Sequence, residues 1–453
     1  MVASRSPRLL WWLRRGQAVH RIGSRPLHSF FGENPGVHLN SKPRIDGRHP
    51  MSFLLVSAVL ALVCGVASYH ARGGVGNSLW DLDAYTRAVH DYADGGNPYN
   101  TAVNDVFVYH PFVLQTFYLI EAMPPHFVRR LTDSPLRTLL LWLYAISAAC
   151  FLWQLSRFAY EHAAPLGRPR IFDWSFSFVI LGALGYGRAG ATSYLSGNLT
   201  PYLHLAVLAV LLKYLRSGSR RYLQVFVGAV AVASLVKPYM LAYLLVCIPV
   251  GTLRQTLRYG CVVIAVVACT WVSATYLTPT EYGAFVMALR HQVLVTGDVG
   301  YSAFGLVHAY VPESAALIAH VAMLVALAYA VFVHLPKWGF DTRSAEGLLL
   351  LVVLAILANP RMKEYDVFPL ILMLFCFLYL RYPGHALVLM CAGMLTATVP
   401  VLSEQLNRNG YDVPPLPPVF TDSHYSEIAG LLVIGLGVWL CCRAVRSPPP
   451  LSG

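Results

Sequence analysis

The chain has 453 residues, of which 56% are hydrophobic and 12% charged, and its mean hydropathy is +0.54. This composition is too apolar for a soluble protein and indicates a membrane protein that crosses the bilayer several times. The net charge of +12 does not indicate nucleic-acid binding, because the basic residues stand in short clusters between apolar runs. All nine cysteines lie in apolar runs without metal-ligand spacing, so neither a disulfide framework nor a zinc site is expected.

The N-terminal region differs in composition from the rest of the chain. Residues 1–50 contain nine Lys or Arg against two acidic residues, with Pro and Gly scattered among them. We interpret them as a basic, mostly disordered cytoplasmic arm. The apolar run at 52–69 is about as long as the ~20 residues that a span needs and lacks a clear small-residue cleavage site. It is therefore predicted to be the first transmembrane helix, which opens a membrane domain over 51–447, with 448–453 as a cytoplasmic tail.

The apolar segments predict an all-α polytopic membrane protein with about twelve transmembrane helices. They lie near 52–69, 136–158, 173–192, 201–215, 222–236, 240–253, 259–277, 314–335, 345–359, 366–380, 385–402 and 426–442. Most basic clusters between them fall on one side, which the positive-inside rule assigns to the cytoplasm. Several middle spans are short, which is tolerated where helices line a cavity inside the protein. We therefore expect a cavity that opens to the extracytoplasmic side.

The first extracytoplasmic loop, residues 70–135, is predicted to lie on the membrane. Trp80, Ala84, Ala88 and Tyr92 recur at helical spacing with charged residues on the other faces, which predicts an amphipathic helix in the interface. The apolar stretch that follows, at 107–125, contains a His-Pro step and ends in a double proline. It predicts a second interfacial or re-entrant element.

Two carboxylates open this amphipathic helix. A carboxylate at the mouth of an outer cavity can act as general base, taking the proton of an attacking hydroxyl, and both Asp81 and Asp83 are candidates for a catalytic role. An alternative is that Asp81 caps the helix and that Asp83 belongs to its solvated face. Of the two, Asp81 is the better candidate for the base.

Three cations stand at the extracytoplasmic ends of predicted spans. Lys237 follows one span, and Arg361 with Lys363 lies between two others. Together they suggest a floor that binds the phosphate of a lipid. The alternatives are that Lys237 reaches to the interface along its aliphatic stem and that Arg361 and Lys363 pair with neighbouring acids.

Three further features are weaker candidates. Asn198, in a polar turn between spans, offers an amide to hydroxyl groups, although a turn needs no function. His110 is a candidate contact for phosphate or sugar, and its alternative is a hydrogen bond to the backbone. The glycine-punctuated loop 296–305 suggests a flexible gate. No nucleotide-binding or zinc motif is found, so cytoplasmic nucleotide chemistry is not expected.

Taken in order, these motifs resemble glycosyltransferase family 87, over roughly residues 52–400. The likeness rests on Asp81 four positions before Tyr85, Gly-Gly-Asn-Pro-Tyr at 95–99, Gly-Asn-Leu-Thr at 197–200, Lys-Pro at 237–238 and Asn-Pro at 359–360. The resemblance implies a GT-C fold that uses polyprenyl-phosphate sugars in a metal-independent, inverting transfer. It assigns the base to Asp81 and a substrate-binding role to Tyr85. Two departures are the extra acid Asp83 and Asn198, where the family usually has Gln.

The sequence therefore predicts a membrane glycosyltransferase that moves one sugar from a polyprenyl phosphate to an extracytoplasmic glycan or glycolipid. It needs no cofactor, and its partners are the donor lipid, the acceptor and membrane lipids. The family resemblance places the chain in a bacterial inner membrane, with the N-terminus in the cytoplasm and the active site on the periplasmic side. The alternative is a secondary transporter or lipid flippase that binds without reacting. That class often shows internal repeats and charges at the bilayer midplane, and the sequence shows neither.

Overall fold

The structure is a computed structural model. It describes residues 79–101, 106–123, 134–163, 183–184, 186–294, 300–308, 310–337, 341–381, 383–408, 410 and 423–444. The basic arm, the predicted first span at 52–69, most of the span near 173–192 and the C-terminal tail lie outside the described residues.

The described part of the chain is helical and contains no strand. The helices of its first half are α1 Trp80–Ala93, α2 Pro111–Glu121, α3 Pro135–Ala163, α4 Gly187–Leu195, α5 Leu199–Ser217, α6 Arg220–Val236, a 3₁₀ helix Pro238–Val246 and α7 Cys247–Val250. Those of its second half are α8 Leu253–Leu277, α9 Pro279–Leu294, α10 Ala303–His308, α11 Glu313–Tyr329, a π-helical turn Ala330–His334, α12 Leu335–Lys337, α13 Ala345–Leu357, α14 Glu364–Arg381, α15 Pro383–Arg408 and α16 Ser423–Ala444.

Four helical segments in the described ranges are long and apolar enough to cross a membrane. They are Pro135–Phe158, Leu199–Ser217, Leu253–Leu277 and Glu313–Lys337. Shorter apolar helices lie at Pro238–Val250, Ala345–Leu357, Val388–Ala397 and Tyr425–Leu440. The described part of the chain is therefore a helical structure with four candidate membrane-spanning helices, and the number of twelve spans remains a prediction.

One predicted span differs in kind. The apolar run at 240–253 was expected to form an α-helix, but Pro238–Val246 is a 3₁₀ helix that only then continues as the short α7. A 3₁₀ helix rises ~2.0 Å per residue against 1.5 Å for an α-helix, so these nine residues cover more depth than an α-helix of the same length. The hydrophobic pattern alone does not distinguish the two geometries, because both bury a continuous apolar run.

The two loop elements expected in the first outer loop are both present as helices. In α1 the buried residues recur at helical spacing, and Asp81 and Asp83 in its first turn complement the positive end of the helix dipole. α2 has 11 residues and begins with Pro111 at its first turn. At ~1.5 Å per residue it is too short to cross a bilayer.

The core consists of two hydrophobic clusters. The larger cluster joins α3, α5, α6, α13 and α14, with α15 and α16 packed together beside it. The smaller cluster is aromatic and lies beneath α1 and α2, where Tyr85, Tyr99, Phe107 and Phe117 meet Phe285 of α9. It fixes α1 and α2 onto α3, α5 and α9, and the site described below lies along that junction.

Candidate active site

A polar cavity of about 320 Å³ lies where α1 meets the ends of the spans. We call it the Asp81 cavity. Six of the eight residues proposed from the sequence line it, namely Asp81, Tyr85, Asn198, Lys237, Arg361 and Lys363. They come from α1, from the turn before α5, from the end of α6 and from the loop before α14. The fold thus brings together motifs that lie nearly 300 residues apart in the sequence.

The N-terminus of α1 is held against the turn that ends α4. The Leu79 N–H donates to the Leu195 carbonyl at 2.6 Å, and the Asp81 N–H donates to the Ser196 carbonyl at 2.9 Å. Leu79 adopts a left-handed conformation with φ of 65°, which is uncommon for a residue other than glycine. Strain of this kind persists where the surroundings impose it, and here it fixes the backbone of Asp81 at the cavity.

The alternative that Asp81 serves as the helix cap is wrong. The N-cap of α1 is Leu79, and no side chain caps that end of the helix. Asp81 lies one residue beyond the first residue of the helix, in its first turn, and its side chain lines the cavity.

A chain of hydrogen bonds joins α1 to the turn at Asn198. The Leu199 N–H donates to the Tyr85 hydroxyl oxygen at 3.1 Å. The hydroxyls of Tyr85 and Tyr109 lie 2.7 Å apart, and Tyr109 donates to Asn198 Oδ1 at 3.1 Å. Because the single phenolic proton of Tyr109 is used on Asn198, Tyr85 is the donor to Tyr109. Burial raises the pKa of Tyr85 and of Tyr109, so both remain protonated donors at neutral pH.

The turn at 196–198 needs its glycine. Gly197 has φ of +69°, and a Cβ at this position would meet the Leu82 side chain at 2.9 Å. Asn198 follows it as the N-cap of α5, where its side chain accepts from the Thr200 N–H at 2.8 Å. The structural role proposed for this turn is therefore present, and Asn198 lines the cavity as well.

Lys237 lies at the C-terminal end of α6 with its ammonium over the ring of Tyr109. The distance from Nζ to the ring centroid is 4.1 Å, which is a cation–π contact. Burial lowers the pKa of Lys237 to about 8, although Asp366 and Asp81 act in the opposite direction. The ammonium therefore lies in a partly desolvated position where a bound anion would stabilise its charge.

The loop between α13 and α14 is built around the carboxylate of Asp366. Oδ2 accepts from the Asn359 side-chain amide and from the Lys363 N–H, each at 3.0 Å. Oδ1 accepts from the Tyr239 hydroxyl and lies 3.2 Å from His204 Nε2. The opposite nitrogen of the His204 ring lies 2.6 Å from the Tyr243 hydroxyl. Since the carboxylate is surrounded by donors, we assign it a positioning role for the loop that carries Arg361 and Lys363.

A second segment holds the same loop from outside. The Tyr301 N–H donates to the Met362 carbonyl at 2.7 Å, and the Ser302 hydroxyl donates to the Pro360 carbonyl. The Tyr301 hydroxyl in turn donates to the fully buried Glu427 of α16. Residues 300–302 of the expected gate at 296–305 are therefore held against the loop that carries Arg361 and Lys363. Residues 296–299 lie outside the described residues.

The structure places the other two predicted residues away from the cavity. Asp83 is exposed and forms a salt bridge with Arg137 at 3.0 Å. His110 is the N-cap of α2, where Nδ1 accepts from the Phe112 N–H at 3.3 Å, and its ring stacks on Trp271 at 4.6 Å. Burial lowers the pKa of His110 to about 4, so it is neutral at pH 7. The backbone contact proposed as its alternative is present.

Several lining residues were not found from the sequence. They are Trp80, Tyr109, Tyr239, Gln292, Asn359 and Asp366. Asn359 belongs to the Asn-Pro step at 359–360, and Asp366 is one of the acids near Arg361 and Lys363 that were expected to serve only as ion-pair partners. Tyr109 precedes His110 in an apolar stretch whose register on the cavity only the tertiary structure defines.

Comparisons with known proteins give no assignment by sequence, since no protein-family model and no curated protein matches the chain. Among solved structures, the chain is similar to those of the oligosaccharyltransferase of Archaeoglobus fulgidus. The apo form has 14% identity and a TM-score of 0.40, covering 89% of this chain and 56% of that one. The form tethered to an acceptor peptide with an NVT sequon has 13% identity and a TM-score of 0.36, covering 89% and 55%. The chain thus spans about half the length of that protein.

Proposed function

We propose that the chain is a membrane glycosyltransferase of the GT-C type that transfers one sugar from a polyprenyl phosphate to an extracytoplasmic glycan or glycolipid. One observation carries this proposal. The Asp81 cavity holds the carboxylate of Asp81 on α1, and its other walls carry three cations, Lys237, Arg361 and Lys363. The carboxylates of Glu364 and Asp366 also line it, on the same loop and helix start as the last two cations. A volume of about 320 Å³ is in the range of pockets for small ligands.

The proposed reaction uses the Asp81 carboxylate and the three cations. Asp81 accepts the proton of an acceptor hydroxyl while the hydroxyl oxygen forms a bond to the anomeric carbon of the donor. The bond from that carbon to the phosphate oxygen breaks, and its electron pair stays on the departing lipid phosphate. Attack opposite to the leaving group inverts the anomeric centre. The three cations stabilise the negative charge that develops on the phosphate, so this chain's residues need no metal or cofactor for the step.

A lipid-linked donor is supported by a second, apolar cavity of about 160 Å³. It lies among α3, α4, α5 and α14 and is lined by residues such as Phe151, Tyr202 and Phe368. Neighbouring residues of α5 line the two cavities, since Thr200 lines the Asp81 cavity and Pro201 lines the apolar one. A phosphate in the first cavity would leave its lipid chain beside the second.

The setting follows from the sequence. We infer a bacterial inner membrane from the family resemblance. We place the N-terminus in the cytoplasm and the Asp81 cavity on the periplasmic side, because the long loops lie opposite the basic clusters. Asp81 is the proposed base, and Lys237, Arg361 and Lys363 are the proposed phosphate contacts. Tyr85 and Asn198 are proposed to orient the donor, while Asp83 and His110 are left as residues of the surrounding structure.

The test is sugar transfer by the purified protein in detergent, using a panel of short-chain polyprenyl-phosphate sugars. Asp81→Asn removes the base and keeps the size of the side chain. We expect transfer or donor hydrolysis to fall by about 10²- to 10⁴-fold, the range for loss of a general base. Donor binding should persist, because the cations are unchanged. Asp83→Asn is the matched control on the same helix and should retain activity.

Equal losses in the two variants, or full activity in Asp81→Asn, would remove Asp81 from the mechanism. If no donor is turned over or bound while a lipid or solute crosses reconstituted vesicles, the protein is a transporter and the proposal is wrong.

A further inference from the structure

A further cavity lies between the N-terminal ends of α6 and α8, at the opposite end of α6 from the Asp81 cavity. It has a volume of about 410 Å³ and is lined by Arg220, Gln224, Gln255, Arg258 and Tyr259, together with two valines. We call it the Arg220 groove. Arg220 and Lys237 lie at opposite ends of α6, which has 17 residues. At ~1.5 Å per residue the two ends of α6 are about 25 Å apart, close to the thickness of the hydrocarbon core.

The residues that line the groove include two arginines and no acid. Arg220 and Arg258 have no hydrogen-bond or salt-bridge partner among the described residues. The side chain of Gln255 is oriented by a capping box, in which its Oε1 accepts from the Thr252 N–H at 3.3 Å. The Gln255 amide N–H groups are not used in the capping box, and Gln255 lines the groove together with the two arginines. Such a set of donors is complementary to the oxygens of a phosphate.

An apolar strip begins where the arginines end. Arg258, Val262 and Val266 follow one another on α8 at intervals of four residues and so share one face. Val262 and Val266 are 56% and 44% exposed at the protein surface. They belong to a helix that is long and apolar enough to cross a membrane. A site with cations at one end and an exposed apolar face at the other matches a phospholipid, whose headgroup is charged and whose chains are apolar.

We propose that the Arg220 groove binds the phosphate headgroup of an anionic phospholipid, with the acyl chains along Val262 and Val266. The strip favours a lipid over free phosphate, because inorganic phosphate has no use for it. Positive charge at the groove favours an anionic headgroup over a zwitterionic one. This site is independent of the reaction proposed for the Asp81 cavity.

The test measures binding of dioctanoyl phosphatidylglycerol, dioctanoyl phosphatidylcholine and inorganic phosphate to the full-length protein in detergent. The variant R220Q/R258Q removes both guanidiniums of the groove. The variant R221Q/R254Q is the matched control, because it removes two exposed arginines of the same helix ends that do not line the groove. Both variants change the net charge equally.

Wild type and the control should bind phosphatidylglycerol at least about tenfold more tightly than phosphatidylcholine, and R220Q/R258Q should lose this preference. Equal losses in the two double variants, equal binding of the two lipids, or equal binding of inorganic phosphate would each overturn the proposal. If R220Q/R258Q does not fold, the single variant R258Q should lose about fivefold in affinity, and an unchanged affinity would overturn the proposal.

Discussion

Two aspartates two residues apart on α1 have different surroundings. Successive helical residues are separated by ~100°, so side chains two positions apart point in different directions. Asp81 lines the cavity, whereas Asp83 is exposed beside Arg137. The sequence ranked Asp81 first, and the structure gives a geometric reason for that order. Their functional roles remain the prediction tested above by the two Asn variants.

Lys237 should give donor binding a distinctive pH dependence. Burial lowers the pKa of Lys237 to about 8. The side chain is therefore a charged ammonium below that pH and loses its proton and its charge above it. A bound phosphate favours the charged form, so donor affinity should fall as the pH rises through about 8 to 10. Lys237→Arg should bind the donor with little change over this range, because a guanidinium stays protonated.

The measurement is the dissociation constant of a short-chain polyprenyl-phosphate sugar between about pH 7 and pH 10 for both proteins. If wild type and Lys237→Arg lose affinity in parallel, the titrating group is not Lys237.

The loop before α14 shows how a short segment is shaped by distant helices. The cations of this loop are Arg361 and Lys363. The conformation of the loop depends on Asp366, whose carboxylate accepts a hydrogen bond from Tyr239 and lies against His204 of α5. From the other side the segment 300–302 bonds to residues 360 and 362. The loop is therefore held between two walls, and Asp366 is predicted to matter for the cations rather than for proton transfer.

Asp366→Asn should disturb this loop. It removes a buried charge from a network of donors, and breaking a buried charged network typically costs about 3–5 kcal/mol of stability. We expect a lower melting temperature and a raised KM for the donor, with a smaller change in kcat. Asp341→Asn is the control, because Asp341 also accepts a backbone N–H, from Arg343 at 2.8 Å, but is exposed in another loop.

An Asp366→Asn variant with the stability and donor KM of wild type would show that the carboxylate does not position Arg361 and Lys363. A loss in kcat alone, at unchanged KM, would instead indicate a direct part in the chemistry.

At the scale of the whole molecule, a cavity lies at each end of α6. The Asp81 cavity lies at the C-terminal end of α6, beside Lys237, and the Arg220 groove lies at the N-terminal end of the same helix. Cytoplasmic loops of membrane proteins are rich in Lys and Arg, and Arg220, Arg221, Arg254 and Arg258 all stand at the groove end. We therefore expect the groove to face the cytoplasm and the Asp81 cavity to face the opposite side.

This orientation can be tested with single cysteines in a variant that lacks the nine natural ones. Asp94 and Arg221 are exposed at the two ends of the molecule. A membrane-impermeant maleimide should label Asp94→Cys in intact cells and Arg221→Cys only after permeabilisation. The reverse pattern would place the Asp81 cavity in the cytoplasm and would contradict the extracytoplasmic reaction.

Local patterns in the sequence were sufficient to predict the apolar helices and most of the residues that line the Asp81 cavity from the proposed set. The hydrophobic periodicity predicted α1 and the apolar helices, and the order of polar motifs between spans predicted six residues that line one cavity. These features depend on residues a few positions apart, so they are visible in a single sequence. The 3₁₀ geometry of Pro238–Val246 was not predicted, because the apolar run is compatible with either type of helix.

The tertiary structure alone decided which side chains meet. Tyr85 accepts a hydrogen bond from Leu199, 114 residues away, and Asp366 lies against His204 across 162 residues. The sequence by itself determined a helical membrane protein with acids and cations at the ends of its spans. It did not determine that Tyr109 links α1 to Asn198, that His110 stays outside the cavity, or that two arginines share a groove. Such contacts depend on the packing of whole helices, which fixes the register of each end against the others and leaves no periodic trace along the chain.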